Sequence, residues 1–148
     1  MIEQMKTFLC RKKKPTLEEV FDKLSKALKE GHIKTKFAEV NDSVKYIATM
    51  NTHELLWMND SLIALVDEPD WKGKKCHNVL QDIPVPCSFC TNNKLTTDGK
   101  VIQWVHVNEK LNKVFLIRDF AHIIEGVPLR FENAIDITDV RLSLYLHK

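Results

Sequence analysis

Three of the four cysteines crowd one stretch: Cys76, followed by His77, and then Pro86-Cys87-Ser88-Phe89-Cys90. Cys10 lies far from them. Two thiolates in Cys-x-x-Cys spacing can grip one ion, and Cys76 with His77 would complete a Cys3His set for zinc or ligate an iron–sulfur cluster. The usual second half-site, another Cys-x-x-Cys or a His-x-x-x-His, is missing. Neighbours on a helix point about 100° apart, which makes one ion shared by Cys76 and His77 awkward. Redox chemistry needs only Cys87 and Cys90. A thiol just ahead of a helix faces the positive helix end, which favours thiolate. A reversible Cys87–Cys90 disulfide would then shift the helix that follows. The plain alternative is that small thiols pack where short helices meet. Packing ranks first, and thiol sensing and metal binding stay open behind it.

Other chemistry has thinner support. Haem would need an axial histidine facing a cavity, and His77, His106 and His122 qualify by position. A lone strand histidine is more often a surface or hydrogen-bonded residue. Trp57, Trp104 and Phe120 are the candidates to line a small-molecule pocket. The chain has no Gly-rich phosphate loop, no Gly-x-Ser-x-Gly elbow and no His-Glu-x-x-His. No catalytic residue is expected, although a Cys87–His pair could form in space. The base expectation is no cofactor, with zinc, iron–sulfur and haem as alternatives.

The bulk numbers bound these readings. The chain has 148 residues, enough to bury a core without disulfides. Hydrophobic residues make up 44% and charged residues 28%, a globular composition. A net charge of +2 does not point to nucleic acid. The one basic run, Arg11-Lys12-Lys13-Lys14, reads as a solvated arm. No secretory h-region and no spanning segment occur, so a cytoplasmic location without membrane contact is expected. Thiols there usually stay reduced.

The elements that must position the thiols follow from pattern. Thr16-Leu17-Glu18-Glu19 fits a capping box. Leu17, Val20, Phe21, Leu24 and Leu28 form one helical stripe before Gly31. That stripe must be buried, on the domain or on a second chain, and is the expected dimerisation face. Strands are expected over 45–49 and 55–58 and small helices over 60–66 and 77–81, with Asp60 as a cap. A third helix is expected over 88–97, closed by Asp98-Gly99. Strands should follow over 101–108, 114–124 and 127–137, the last two joined by a turn at Glu125-Gly126. In the last strand Val127, Leu129, Phe131, Ile135 and Ile137 point one way. Pro128, Arg130, Glu132 and Asp136 point the other. The strand before it is apolar on both faces, so the sheet needs cover on both. Residues 139–148 read as the start of a further helix.

Local motifs then converge. Asn51-Thr52-His53-Glu54-Leu55-Leu56-Trp57-Met58-Asn59 resembles the first hairpin of bacterial PAS sensors. Gly73-Lys74-Lys75-Cys76-His77-Asn78-Val79-Leu80-Gln81 is similar to the Gly-x-x-Cys-Tyr-x-x-Leu segment of one PAS subgroup, with His77 in place of Tyr. Pro86-Cys87-Ser88-Phe89-Cys90-Thr91-Asn92 matches the Pro-Cys-x-x-Cys-x-Asn that follows it, and Asp136-Ile137-Thr138 the Asp-Ile-Thr that ends many PAS domains. The resemblance spans about residues 40–140. It implies an α+β fold: a five-stranded antiparallel sheet with short helices on one face, beside an N-terminal flanking helix. It divides the chain into an arm and flanking helix (1–38), the PAS domain (39–138) and the start of an output or linker helix (139–148). The implied role is a homodimeric sensory module. It would sense a small ligand or redox state and regulate a C-terminal output domain, most often a diguanylate cyclase (GGDEF-type) or histidine kinase, with Asp136 and Thr138 passing the signal on. The alternatives are a metal- or cluster-dependent redox sensor and a ligand-free interaction module.

Overall fold

A computed structural model describes residues 43–139. The expected helix carrying Leu17, Val20, Phe21, Leu24 and Leu28 lies outside the described residues, as does all but the first residue of 139–148. The elements are β1 (Val44–Thr49), β2 (Leu55–Met58), α1 (Asp60–Val66), α2 (Cys76–Gln81), β3 (Ile102–Asn108), β4 (Lys113–Ile124) and β5 (Val127–Asp136). The strands form one sheet in the order β2-β1-β5-β4-β3. Every pairing is antiparallel. The α+β architecture follows the order that the motifs implied.

Two details of the helices differ from expectation. Asn59, not Asp60, caps α1, its Oδ1 accepting from the amides of Leu62 and Lys45 at 3.2 and 3.0 Å. Its Nδ2 donates to the Ser43 carbonyl at 2.8 Å, which pins the helix to β1. The third helix expected over 88–97 does not form. Only a single 3-10 turn, Thr91–Asn93, is present. The reason is side-chain competition for backbone and core partners. Thr91 is spent on Asp119, and Asn92 on the Met50 carbonyl and Arg130.

Register sorts the side chains onto two faces. Tyr46, Glu132 and Asp119 share one row, and Ile117 and Ala134 share the next, all under the helices. Tyr46, Ala48, Leu55 and Met58 pack there with Leu62 and Val66 of α1 and Val79 and Leu80 of α2. On the opposite face Ile47, Leu56, Leu129 and Phe131 are buried together, with Trp57, Phe120, Ile124 and Val127 against them. Phe120 and Phe131 stack at 5.0 Å. The β4–β5 turn is tight, with Glu125 at φ 52 and Gly126 at φ 76, the left-handed pair that matches strand twist. Gly99 has φ 85, and a Cβ there would lie 2.5 Å from the His122 ring. Among the described residues no helix is long and apolar enough to cross a membrane.

Candidate functional site

The helix-covered face holds a pocket between α1, α2, the 86–90 segment and the inner rows of β3, β4 and β5. Leu62, Leu80, Phe115, Ile117, Trp104 and Ala134 give it apolar walls. His53, His77, His106, Cys76, Cys87, Cys90, Arg130 and Glu132 give it chemistry. Its free volume is about 50 Å³. That is space for a few waters, far below the roughly 300 Å³ at which drug-sized ligand sites begin. A larger guest would have to lift part of the wall.

The outer part of that wall is the thiol segment. Pro84 and Pro86 keep the approach extended, and Cys87 to Cys90 then form a turn closed by the Cys90 amide on the Cys87 carbonyl at 3.1 Å. Phe89, at the turn's corner, is 39% exposed. Its ring lies 4.5 Å from His106 and 6.0 Å from Trp104. The three rings roof the pocket. His106 is tied at its other side to Gln81 of α2 at 3.1 Å.

Beneath the roof lies a buried charge cluster. Arg130 Nη2 donates to Asp119 Oδ2 at 3.2 Å and to Glu132 Oε1 at 2.8 Å. Its Nη1 reaches Cys90 Sγ at 3.2 Å and Asn92 Oδ1 at 3.3 Å. Asp119, fully buried, also accepts from Thr91 Oγ1 at 2.8 Å and Trp104 Nε1 at 2.7 Å. Asp119 Oδ1 and Arg130 Nε have no hydrogen-bond partner among the described residues. Two carboxylates beside one guanidinium cannot both stay charged cheaply away from water. Burial, and then the charge of Asp119, push Glu132 up to about 8. At neutral pH Glu132 is therefore largely protonated beside the Arg130 cation.

Four further groups of the pocket, His53, His106, Cys76 and Cys87, are shifted towards their neutral forms. Burial, and then His77, Lys75 and Arg130, push His53 below the usual imidazole range. Burial does the same to His106. His77 Nδ1 donates to the Ile83 carbonyl at 2.8 Å, so its ring fastens the end of α2. Burial pushes the Cys76 thiol up to about 12 against the pull of Arg130. Burial and Cys90 push Cys87 up as well. The expectation that a helix start would favour a Cys87 thiolate is thus corrected: no α-helix follows it, and desolvation decides.

The structure brings Cys76, His77, Cys87 and Cys90 to one pocket, together with Trp104. It does not bring Trp57 or Phe120 there. Both belong to the opposite face, because their strand positions are out of phase with the inner rows. His122 sits on that face too, edge-on to Phe120 and Phe131. Among the described residues no three His, Cys, Asp or Glu gather as a metal-binding group. The pocket's free volume is below that of a haem.

The exit from β5 is tied down by side chains. Asp136 Oδ1 accepts from the Thr138 amide at 3.0 Å and hydroxyl at 2.6 Å. Lys113 donates to its other oxygen at 2.9 Å. Burial works against this charge, and the bonds from Thr138 and Lys113 overcome it, holding the carboxyl down at about 2. Thr138 Oγ1 accepts from the Val114 amide at 3.0 Å, and the Ile137 amide donates to the Val114 carbonyl at 2.8 Å. Val114 adjoins Phe115, a pocket wall. Thr138 and Asp139 have helical backbone.

Sequence reasoning missed Asp119 and Arg130 as site residues. The signal was the polar row of β5, Arg130 and Glu132, on a sheet expected to be covered on both faces. A charged row under cover must carry its own partners.

No protein-family model and no curated protein matches the chain. Two solved structures are similar to it in fold. One is the PAS domain of an HTR-like protein from Haloarcula marismortui, with TM-score 0.43 and 11% identity over 78% of this chain and 99% of that one. The other is the N-terminal domain of a diguanylate cyclase with PAS/PAC sensor from Marinobacter aquaeolei, with TM-score 0.37 and 16% identity over 67% of this chain and 98% of that one. Both are likenesses of shape, and neither bears on ligand or output. In element order and in its single antiparallel sheet, the described part of the chain has the α+β architecture that the motif resemblance implies.

Proposed function

We propose that this chain is a sensory, non-catalytic module that binds a small molecule in the pocket and passes the change to a C-terminal output domain. One observation carries the reading: a pocket wall, Phe115, is the neighbour of Val114, whose amide and carbonyl hold Thr138 and Ile137 at the exit. A guest that displaces Phe115 would strain those bonds and re-aim the segment after Asp139. The bias passed on cannot exceed the guest's preference between the two states. A diguanylate cyclase as output, a homodimer through Leu17, Val20, Phe21, Leu24 and Leu28, and a cytoplasmic location belong to the same proposal. They rest on the motif resemblance and the stripe of apolar residues.

Thermal melting of the purified chain against millimolar panels of small organic compounds tests the reading. A ligand at 100 times its dissociation constant adds about 2.7 kcal/mol of stability. Ala134→Val fills the pocket from β5 and should abolish that gain while the chain stays folded. Failure of every compound, or equal binding by Ala134→Val, overturns the proposal.

A further inference from the structure

We infer that Cys90 and Cys87 form a dithiol modification site, at which Cys90 attacks a small disulfide or peroxide and Cys87 resolves the adduct into a Cys87–Cys90 disulfide. The geometry has three parts. The first is the turn. Its closing bond, Cys90 amide to Cys87 carbonyl at 3.1 Å, brings the two Cα atoms within the roughly 7 Å of a β-turn. Disulfides span about 4.4–6.8 Å between Cα atoms, so the bond can close with little movement. The second is Arg130. A guanidinium N–H donates to Cys90 Sγ at 3.2 Å, and its orientation is fixed by Asp119, Glu132 and Asn92. The N–H aimed at this sulfur can meet the negative charge that thiol–disulfide exchange develops on it. The third is access. Cys87 and Cys90 are partly exposed, and the turn's outer corner, Phe89, faces solvent.

The chemistry balances with a low-molecular-weight disulfide, RSSR, as oxidant. The Cys90 thiolate attacks one sulfur of RSSR, forms Cys90–S–S–R and expels RS⁻. Cys87 gives its proton to that thiolate or to water and attacks Cys90 sulfur, expelling the second RS⁻. Two cysteine thiols are oxidised, and one disulfide is reduced to two thiols. With a peroxide, Cys90 first becomes a sulfenic acid, and Cys87 displaces water from it. Cys76 is partly exposed like the other two, but it stays outside the cycle because desolvation holds its thiol protonated.

The same turn roofs the pocket. Drawing Cys87 and Cys90 together moves Phe89 relative to His106 and Trp104, and it changes what Arg130 Nη1 donates to. The oxidation state of the turn would thus set how open the pocket is. This last step rests on the pocket being the ligand site, whereas the thiol chemistry does not.

The test uses the full chain with Cys10→Ser, treated with oxidised glutathione and then mapped by mass spectrometry. The parent should lose two hydrogens, located to a Cys87–Cys90 link, with Cys76 unmodified. Cys87→Ser should stop at a glutathione adduct on Cys90. Cys90→Ser should slow the first adduct at least tenfold. Arg130→Lys keeps a cation but not the fixed fork, and should slow adduct formation in the Cys87→Ser background by a smaller factor. Equal reactivity of the two serine variants, or first modification at Cys76, overturns the assignment. Because no pocket ligand enters the assay, these outcomes are independent of the ligand reading. A second assay compares oxidised and reduced protein for any compound found by melting. Unchanged affinity removes the roof's role.

Discussion

On one side of β5, Leu129 and Phe131 are sealed into an apolar layer with Ile47 and Leu56. On the other, Arg130 and Glu132, each a residue away from Phe131, bring polar groups under the helices. The first face is held by area removed from water, and its members are interchangeable with others of similar shape. The second is held by matched charges, and each member matters only while the others are present. A strand can therefore be rigid on one face and conditional on the other. The conditional face is the one that meets the pocket, the thiols and the exit.

The largest test of this contrast sets Phe131→Ala beside Arg130→Met. Each should cost about 3–5 kcal/mol in urea melts at pH 7. The Phe131→Ala loss should be independent of pH. The Arg130→Met loss should vary with pH, because it leaves buried carboxyl groups without their cation. Replacing the cluster together, with Arg130→Met, Asp119→Leu and Glu132→Met, should recover most of the stability. If it does not, the two faces do not differ in kind.

Trp104→Phe keeps an aromatic roof and removes one donor from Asp119 Oδ2. A fully buried carboxylate losing that bond should cost about 1–3 kcal/mol.

Acid–base linkage sharpens the comparison further. Glu132 has a folded value of about 8, above its usual 4.5, so the folded state holds a proton that the unfolded state has lost. The associated stability is full below the unfolded value and is lost as pH rises towards 8. The slope in that window should be at most about 1.4 kcal/mol per pH unit, and Glu132→Gln should flatten it. A slope unchanged by Glu132→Gln would mean that another group holds the proton. The smallest effect is expected at the exit. Thr138→Val leaves the Val114 amide without its acceptor and should cost about 1 kcal/mol.

Much of the fold was legible. β2 and α1 follow from their apolar spacing, and the β4–β5 turn follows from Glu125-Gly126, because these depend on local backbone preference. The 88–97 helix was not, since Thr91 and Asn92 bond to Asp119, Met50 and Arg130, residues far away in sequence. Of the pocket's lining, the three thiols stand out in the sequence by their spacing and Trp104 by its residue type. Trp57 and Phe120 were misplaced because strand phase, which residue type cannot reveal, puts them on the other face. Asp119 was hidden inside a strand rich in apolar residues, and only pairing with Glu132 and Arg130 explains its place there.

Gly99 adds a constraint at the far end of the thiol loop. One methyl group there would displace His122, whose ring edges against Phe120 and Phe131. The loop that begins at the thiol turn thus ends braced against the apolar face. Homologous or engineered chains that lengthen the loop must place the extra residues upstream of this joint. A bulkier residue at the joint would carry a disturbance around the sheet's rim, to the side that the pocket never sees.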